Sequence, residues 1–349
     1  MTGDFDDVSR APLVSVLIPA FNHESFVQRC LDSVLEDPYP AKEIVIIDDG
    51  STDHTGERIA HWVAAHGAEI PVEFVRREKN RGIAATLNEL AARSHGEFLR
   101  IGASDDYLLP GGLEAQVRYL MSHKNKGAVI GDSIVIDGEG NRLYDSGMCD
   151  LHGADKRLYD SSDGIRRAVI GHWAVGGPVT LLRKSVLETV ARWTEGLRID
   201  DWDMFLRLAA RDALGFIDVT VCAYRLHGAN FSKTRHTATR IVNLVESREV
   251  ALSRVCLFDE PYRTLLRAQA QYIGAKIAFL QKRHARVALH LAAYVGLLAA
   301  SKLRLRRADV LRARHNRRCV VGRNRVQRHR LRQQRRLRGD AHGSQPRHR

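Results

Sequence analysis

Three pairs of adjacent carboxylates stand out in the chain, each in a setting that suits chemistry. "ASDDY" sets Asp105 beside Asp106. Neighbouring carboxylates repel each other unless a cation or solvent offsets them. Hard divalent cations take such oxygens as ligands, usually together with substrate phosphates. "IIDDGSTDHT" sets Asp48 and Asp49 just ahead of Gly50. There a tight turn can present a carboxylate to a ribose or base edge, and Ser51 or Thr52 can cap the next helix. "RIDDWDMFLRLAAR" sets Asp200 and Asp201 at a helix start. The helix dipole favours a carboxylate at that end, and one facing a cleft can serve as general base. In "YRLHGANFSK", a neutral His227 imidazole could ligate a metal. Each feature also has a plain structural alternative: a capped turn, an N-cap, or an ordinary histidine.

These residues need elements to hold them. "LVSVLI" (13–18), "EIVII" (43–47), "VEFV" (72–75) and "EFLRI" (97–101) read as strands. Helix-period segments at 24–35, 55–66 and 83–94 separate them. This alternation predicts an α/β fold with a mostly parallel sheet flanked by helices, whose ligands bind beyond the carboxyl ends of the strands. "PAFN", "DDGSTD" and "ASDD" all fall at such ends. From 127 the pattern changes to a strand with a hairpin, helices over 184–191 and 201–211, and a strand over 216–228. Only helices are expected from 236 to about 300.

The net charge of +13 is unevenly spread. Residues 302–349 hold 18 Lys and Arg against 2 Asp and Glu, a net of +16. The other 301 residues hold 36 basic and 39 acidic, a net of −3. A near-neutral body argues against a broad nucleic-acid-binding face, and the tail lacks the aromatic residues that base stacking requires. The five cysteines are scattered, which fits a reducing compartment and argues against a zinc cluster. The acidic, polar N-terminal stretch does not read as a signal peptide. The longest apolar run, 287–300, has 14 residues and falls short of a bilayer span. The Gly-rich loops of dinucleotide-binding and P-loop proteins are absent after the first strand.

"VSVLIPAFNHESFVQRCLDSVL", "EIVIIDDGSTDHT", "NRGIAATLNELAARSHGEFLRIGASDDYLLPGGLE" and "GLRIDDWDMFLRLAAR" occur in the order and spacing of the inverting family 2 glycosyltransferases of GT-A fold. The resemblance is to the bacterial surface-polysaccharide type and covers about residues 12–230. It implies a nucleotide-sugar donor, a UDP-sugar, lying across the N-terminal half. Pro19, Ala20 and Phe21 would flank the nucleobase, with Asn22 also on the donor side, and Asp49 would meet the base with Asp48 beside it. Asp105 would face the ribose. Asp106, in a DXD-like motif, would bind Mg²⁺ or Mn²⁺ under the diphosphate, with His227 completing the metal site. Asp201 would be the catalytic base, with Asp200 and Trp202 on the acceptor side. Asp200 replaces the usual Glu, and Leu87 stands where many relatives carry Arg; Arg81 is the candidate substitute cation.

The resemblance further implies a hydroxyl acceptor in polysaccharide, O-antigen or glycolipid synthesis, either a glycan or lipid-linked. The rival readings are a catalytically inactive sugar-nucleotide-binding or scaffold protein of the same fold, and a nucleotidyltransferase. The last lacks its usual phosphate loop here. The expected layout is a disordered N-terminus (1–11), a GT-A domain (12–232), a helical region (233–301) and an Arg-rich, disordered tail (302–349). The apolar stretch and basic flanks of 284–338 suggest an anionic membrane surface as a partner, or else a core helix followed by a solvated tail. The expected location is cytoplasmic, peripheral at the inner face of the plasma membrane, with no specific nucleic-acid partner.

Overall fold

The computed structural model describes residues 11–190, 192–228 and 236–304. Strands β1 (Val14–Ala20), β2 (Lys42–Asp48), β3 (Val72–Arg76) and β4 (Phe98–Ile101) pair in parallel in the order β3-β2-β1-β4. Helices α1 (Val27–Glu36), α2 (Thr55–His66) and α3 (Ile83–Arg93) make the crossovers that parallel neighbours require. Alternate side chains enter opposite layers. Leu17, Val45, Ile47 and Leu99 pack in one core cluster, and Val16, Ile18, Ile44, Ile46 and Phe98 in the other. Burial on both faces explains why these strands read as continuous apolar runs.

Beyond β4 the sheet is mixed. The elements are β5 (Tyr107–Leu108), α4 (Gly112–Ser122), β6 (Ala128–Ile136), β7 (Arg142–Tyr144), α5 (Ser162–Gly171), β8 (Thr180–Arg183), α6 (Val186–Thr189), α7 (Asp200–Ala210) and β9 (Leu214–Arg225). The full order is β3-β2-β1-β4-β8-β6-β9-β5, with β7 on β6. Strand β8 runs antiparallel to both β4 and β6, whereas β9 is parallel to β6. The parallel character read from the sequence therefore belongs to β1–β4. Strands β5 and β8, of 2 and 4 residues, are too short to show a period, and the helix expected over 184–191 is the single turn of α6.

The C-terminal part is helical as expected: α8 (Thr237–Arg254), α9 (Tyr262–Leu280) and α10 (His284–Arg304). Helix α9 packs on α8 and α5. The sequence reading judged the apolar run too short for a membrane. The helix that carries it has 21 residues and is, by length and composition alone, long and apolar enough to cross one. It is not a core helix: 6% of its most apolar window is buried. The expectations for residues 1–10, 229–235 and the chain after 304 fall outside the described residues.

Candidate active site

The loops that leave β1 and β2 are stapled into one ledge. Asn22, at φ 55°, donates its backbone N–H to Ser51 Oγ at 2.9 Å, and its Oδ1 accepts from Thr52 N at 2.8 Å. His23 N donates to Thr55 Oγ1 at 2.8 Å and Glu24 N to Asp53 Oδ2 at 3.1 Å. Gly50 completes the turn at φ 76°, where a Cβ would stand 2.7 Å from the Asn80 backbone nitrogen; no other residue fits there. Phe21 is 42% exposed on this ledge, beside the half-buried Pro19 and buried Ala20.

Beneath the ledge, three ligand-type side chains converge. Asp105 Oδ2 lies 3.1 Å from His227 Nε2 and 3.8 Å from His23 Nε2. Ser104 Oγ holds His23 Nδ1 at 2.8 Å, which aims Nε2 at the aspartate. The Phe26 ring packs 5.0 Å from that of His227 and 6.1 Å from that of His23. Burial pushes His23 toward its neutral form. Burial also opposes ionisation of Asp105, but the His227 hydrogen bond and the two imidazoles outweigh it and keep that carboxyl below its usual range.

Asp106 faces the other way. It is 4% exposed, and its Oδ1 accepts the backbone N–H of Arg225 at 2.8 Å. Burial, followed by the charge of Asp105, raises its carboxyl well above the usual range. The sequence reading gave Asp106 to the metal and Asp105 to the ribose; in the structure Asp105 is the member of the pair that meets the imidazoles. Arg225 explains the turn of the loop. Its Nε donates to the Asp105 carbonyl at 2.9 Å, and its Nη1 to the carbonyls of Asp137 and Gly138 at 3.0 and 3.1 Å. Its guanidinium lies 4.7 Å over the Phe26 ring.

Asp201 stands at the first turn of α7. Its Oδ2 accepts the backbone N–H of Gly177 at 3.1 Å. A Cβ built on Gly177 would lie 3.4 Å from Ile101 Cγ2, so this carboxylate sits over the carboxyl end of β4, the strand that leads into Asp105. Burial raises Asp201, and burial plus the Asp201 charge raises Asp200 well above the ordinary carboxyl value. Both shifts favour the protonated form at higher pH than usual. Asp203, fully buried, anchors the helix start to Thr194 at 2.8 Å, Arg207 at 3.0 Å and Arg254 of α8 at 2.6 Å.

Several expected contacts are taken up inside the fold. Asp49 accepts from Arg77 Nη1 at 2.6 Å, Arg81 N at 3.0 Å and Gly82 N at 2.9 Å, so it braces the 80–82 loop. Asp48 is fully buried and accepts from Ser51 N at 3.1 Å. Trp202 donates its indole N–H to the Val169 carbonyl at 2.8 Å and packs, half-buried, against the core. Leu87 is core, at 3% exposed, so an arginine there would not face the cleft. Arg81 remains outside, its side chain 58% exposed and 3.4 Å from Glu89. Sequence reasoning missed His23, Arg225 and Gly177. The first two stand within the quoted stretches "VSVLIPAFNHESFVQRCLDSVL" and "YRLHGANFSK", where their proximity to Asp105 is a product of the fold.

Comparison with known proteins agrees with this architecture. The model of "Glycosyl transferase family 2" matches residues 15–190. A chondroitin synthase of Pasteurella multocida (strain Pm70) is 26% identical over 81% of this chain. The match spans 29% of that relative, so the chain corresponds to less than a third of its length. The structure of S. aureus TarS 1–349 in complex with UDP-GlcNAc superposes with a TM-score of 0.58 at 15% identity, covering 85% of this chain and 92% of that one. The mannosyltransferase PcManGT of Pyrobaculum calidifontis, in complex with GDP-Man and Mn²⁺, gives 0.57 at 22% identity, covering 85% and 81%. These structural likenesses establish the GT-A fold expected from the motifs. With half of the sequence matched by the family model, the chain belongs to glycosyl transferase family 2.

Proposed function

We propose that this chain is a metal-dependent, inverting glycosyltransferase that moves a sugar from a nucleotide-sugar donor, a UDP-sugar, to a hydroxyl acceptor. One observation carries the reading: Asp105, His227 and His23 gather at the strand end that Asp201 also faces. The three ligand atoms lie within 4.8 Å of one another. At metal–ligand distances of about 2.1 Å, neighbouring ligands of one ion stand about 3 Å apart and opposed ones about 4.2 Å. The 3.1 Å between Asp105 and His227 matches neighbouring ligands, and the 3.8 Å between Asp105 and His23 lies between the two values. Two imidazoles with one carboxylate suit Mn²⁺ better than Mg²⁺, which prefers oxygen ligands throughout. A divalent ion held there would offset the charge of the leaving diphosphate.

The protein groups supply the rest. The exposed Phe21 ring offers a stacking face for a base, and the ledge fixes its position. Asp201 takes the proton of the acceptor hydroxyl. That oxygen bonds to the anomeric carbon as the sugar–phosphate bond breaks on the opposite face, and the electron pair leaves with the nucleoside diphosphate. Configuration inverts in one step, without a covalent enzyme intermediate. The acceptor is a glycan or lipid-linked hydroxyl in polysaccharide, O-antigen or glycolipid synthesis; the polymer-building name of the chondroitin synthase supports the polysaccharide setting. The test is release of UDP or another nucleoside diphosphate from a panel of nucleotide sugars with Mn²⁺, against an EDTA control. Binding of a nucleotide sugar with no turnover of any would instead mark a scaffold or binding protein.

A further inference from the structure

Helices α9 and α10 form a hairpin of one-sided charge. From Pro261 to Arg304 there are eight Lys and Arg residues and no Asp or Glu. One face of α10 is fixed on α9. The Tyr294 ring lies 5.2 Å from that of Tyr272, His290 Nδ1 is 2.7 Å from Gln271 Oε1, and Ser301 Oγ donates to the Pro261 carbonyl at 3.1 Å. The opposite face is bare and apolar. Leu289, Val295 and Leu303 are 69%, 61% and 60% exposed, and the exposed alanines 288, 292 and 299 fall between them. Positions 288, 292, 295, 299 and 303 recur at helical spacing and make one stripe, with Leu289 at its margin. Cations bracket it: Lys282, Arg283 and Arg286 before and Lys302 after, all exposed, while Arg304 is paired with Glu260 at 2.6 Å. Phe279, 66% exposed at the end of α9, stands beside the first group.

We propose that this stripe docks α10 flat on an anionic lipid surface, with the bracketing cations on the headgroups. Charge chooses the occupant. A second copy packed stripe to stripe would set the same acid-free hairpin against itself, cation against cation. An anionic bilayer offers hydrocarbon to the leucines and negative charge to both ends of the helix. Packing chooses the orientation. His290, Ser301 and Arg304 are bonded to α9 and its flank, and α9 itself carries Arg263, Arg267 and Lys276. A transmembrane α10 would either tear those contacts or carry these cations into hydrocarbon, whereas a flat helix does neither. The docking is independent of the transfer reaction and stands or falls separately from it.

The test is co-sedimentation of the full chain with phosphatidylglycerol-containing vesicles and with pure phosphatidylcholine vesicles, at low and high salt. The wild type should pellet with the anionic vesicles. Leu289→Ser/Val295→Ser, which keeps every cation of the Arg-rich tail, should bind about ten-fold or more weakly at equal Tm, because apolar contact is lost. Lys282→Gln/Arg283→Gln/Arg286→Gln should bind more weakly and lose part of its salt dependence. Unchanged binding of the serine variant would assign the membrane to the tail and overturn the proposal. So would failure of the wild type to bind anionic vesicles, or a dimer in solution that the serine variant dissolves.

Discussion

Asp201 Oδ2 accepts the backbone N–H of Gly177 at 3.1 Å, and this bond fixes the carboxylate over the end of β4. Asn at 201 would keep the shape but could not take a proton. Asp201→Asn should lower kcat by about 10²–10⁴-fold, the usual contribution of a positioned base, while leaving nucleotide binding unchanged. Steady-state kinetics beside calorimetric titration with the nucleotide separates the two. A variant with wild-type kcat would remove Asp201 from the base role.

The pH dependence follows from the same burial. Asp201 works only when ionised, and burial raises its carboxyl above the ordinary value. Activity should therefore fall, as pH is lowered, through a limb centred above the usual carboxylate range. A kcat profile whose acidic limb sits at or below the free aspartate value of about 3.9 contradicts this.

Asp105 and Asp106 should respond unequally, in the sense opposite to that expected from the sequence. Asp105→Asn removes the anion between His23 and His227, so Mn²⁺ affinity should collapse and EDTA-treated wild type should resemble the variant. Asp106→Asn replaces an inward carboxyl whose protonated form burial already favours, and it should bind Mn²⁺ within a few-fold of wild type. His23→Ala should weaken Mn²⁺ by about ten-fold or more. Electron paramagnetic resonance of free Mn²⁺ during titration reads all three without any turnover.

Arg225→Lys keeps the charge but not the planar fork that reaches the carbonyls of Asp105, Asp137 and Gly138. These half-buried carbonyls would lose their charged donor. The variant should melt several degrees lower, and its Mn²⁺ affinity should fall by about ten-fold through the displaced Asp105 loop. An unchanged Mn²⁺ affinity at the lower Tm would make Arg225 purely structural.

The parallel half was legible because its signals are local. The buried runs of β1 and β2 and the helix face of α1 repeat over enough residues to register, and their loops carry turn chemistry. The second half is decided by partners distant in sequence. Strand β8 exists because Leu181 and Leu182 fit between β4 and β6, and 4 residues show no period. The site divides in the same way. Asp105, Asp201 and His227 stood in quotable motifs. Which way each aspartate turns depends on Arg225, and His23 reaches Asp105 across 82 residues of chain. Asp48 and Asp49, expected at the nucleobase, are hydrogen-bonded within the fold, and Trp202 packs against the core.

The two halves of the sheet meet at a narrow seam. Strand β4 joins β8 through three residue pairs: Phe98 with Arg183, Leu99 with Leu182 and Arg100 with Leu181. The ledge and Asp105 hang from one side of it, and Asp201 from the other. The pairing is short, but it is not the whole boundary. His227 and Arg225, which hold Asp105, come from the far end of β9, and one core cluster runs from Leu17 and Leu99 to Phe205 and Leu214. The pocket around Asp105 is therefore complete only when both sides of the sheet have folded against each other, so neither side can assemble it alone.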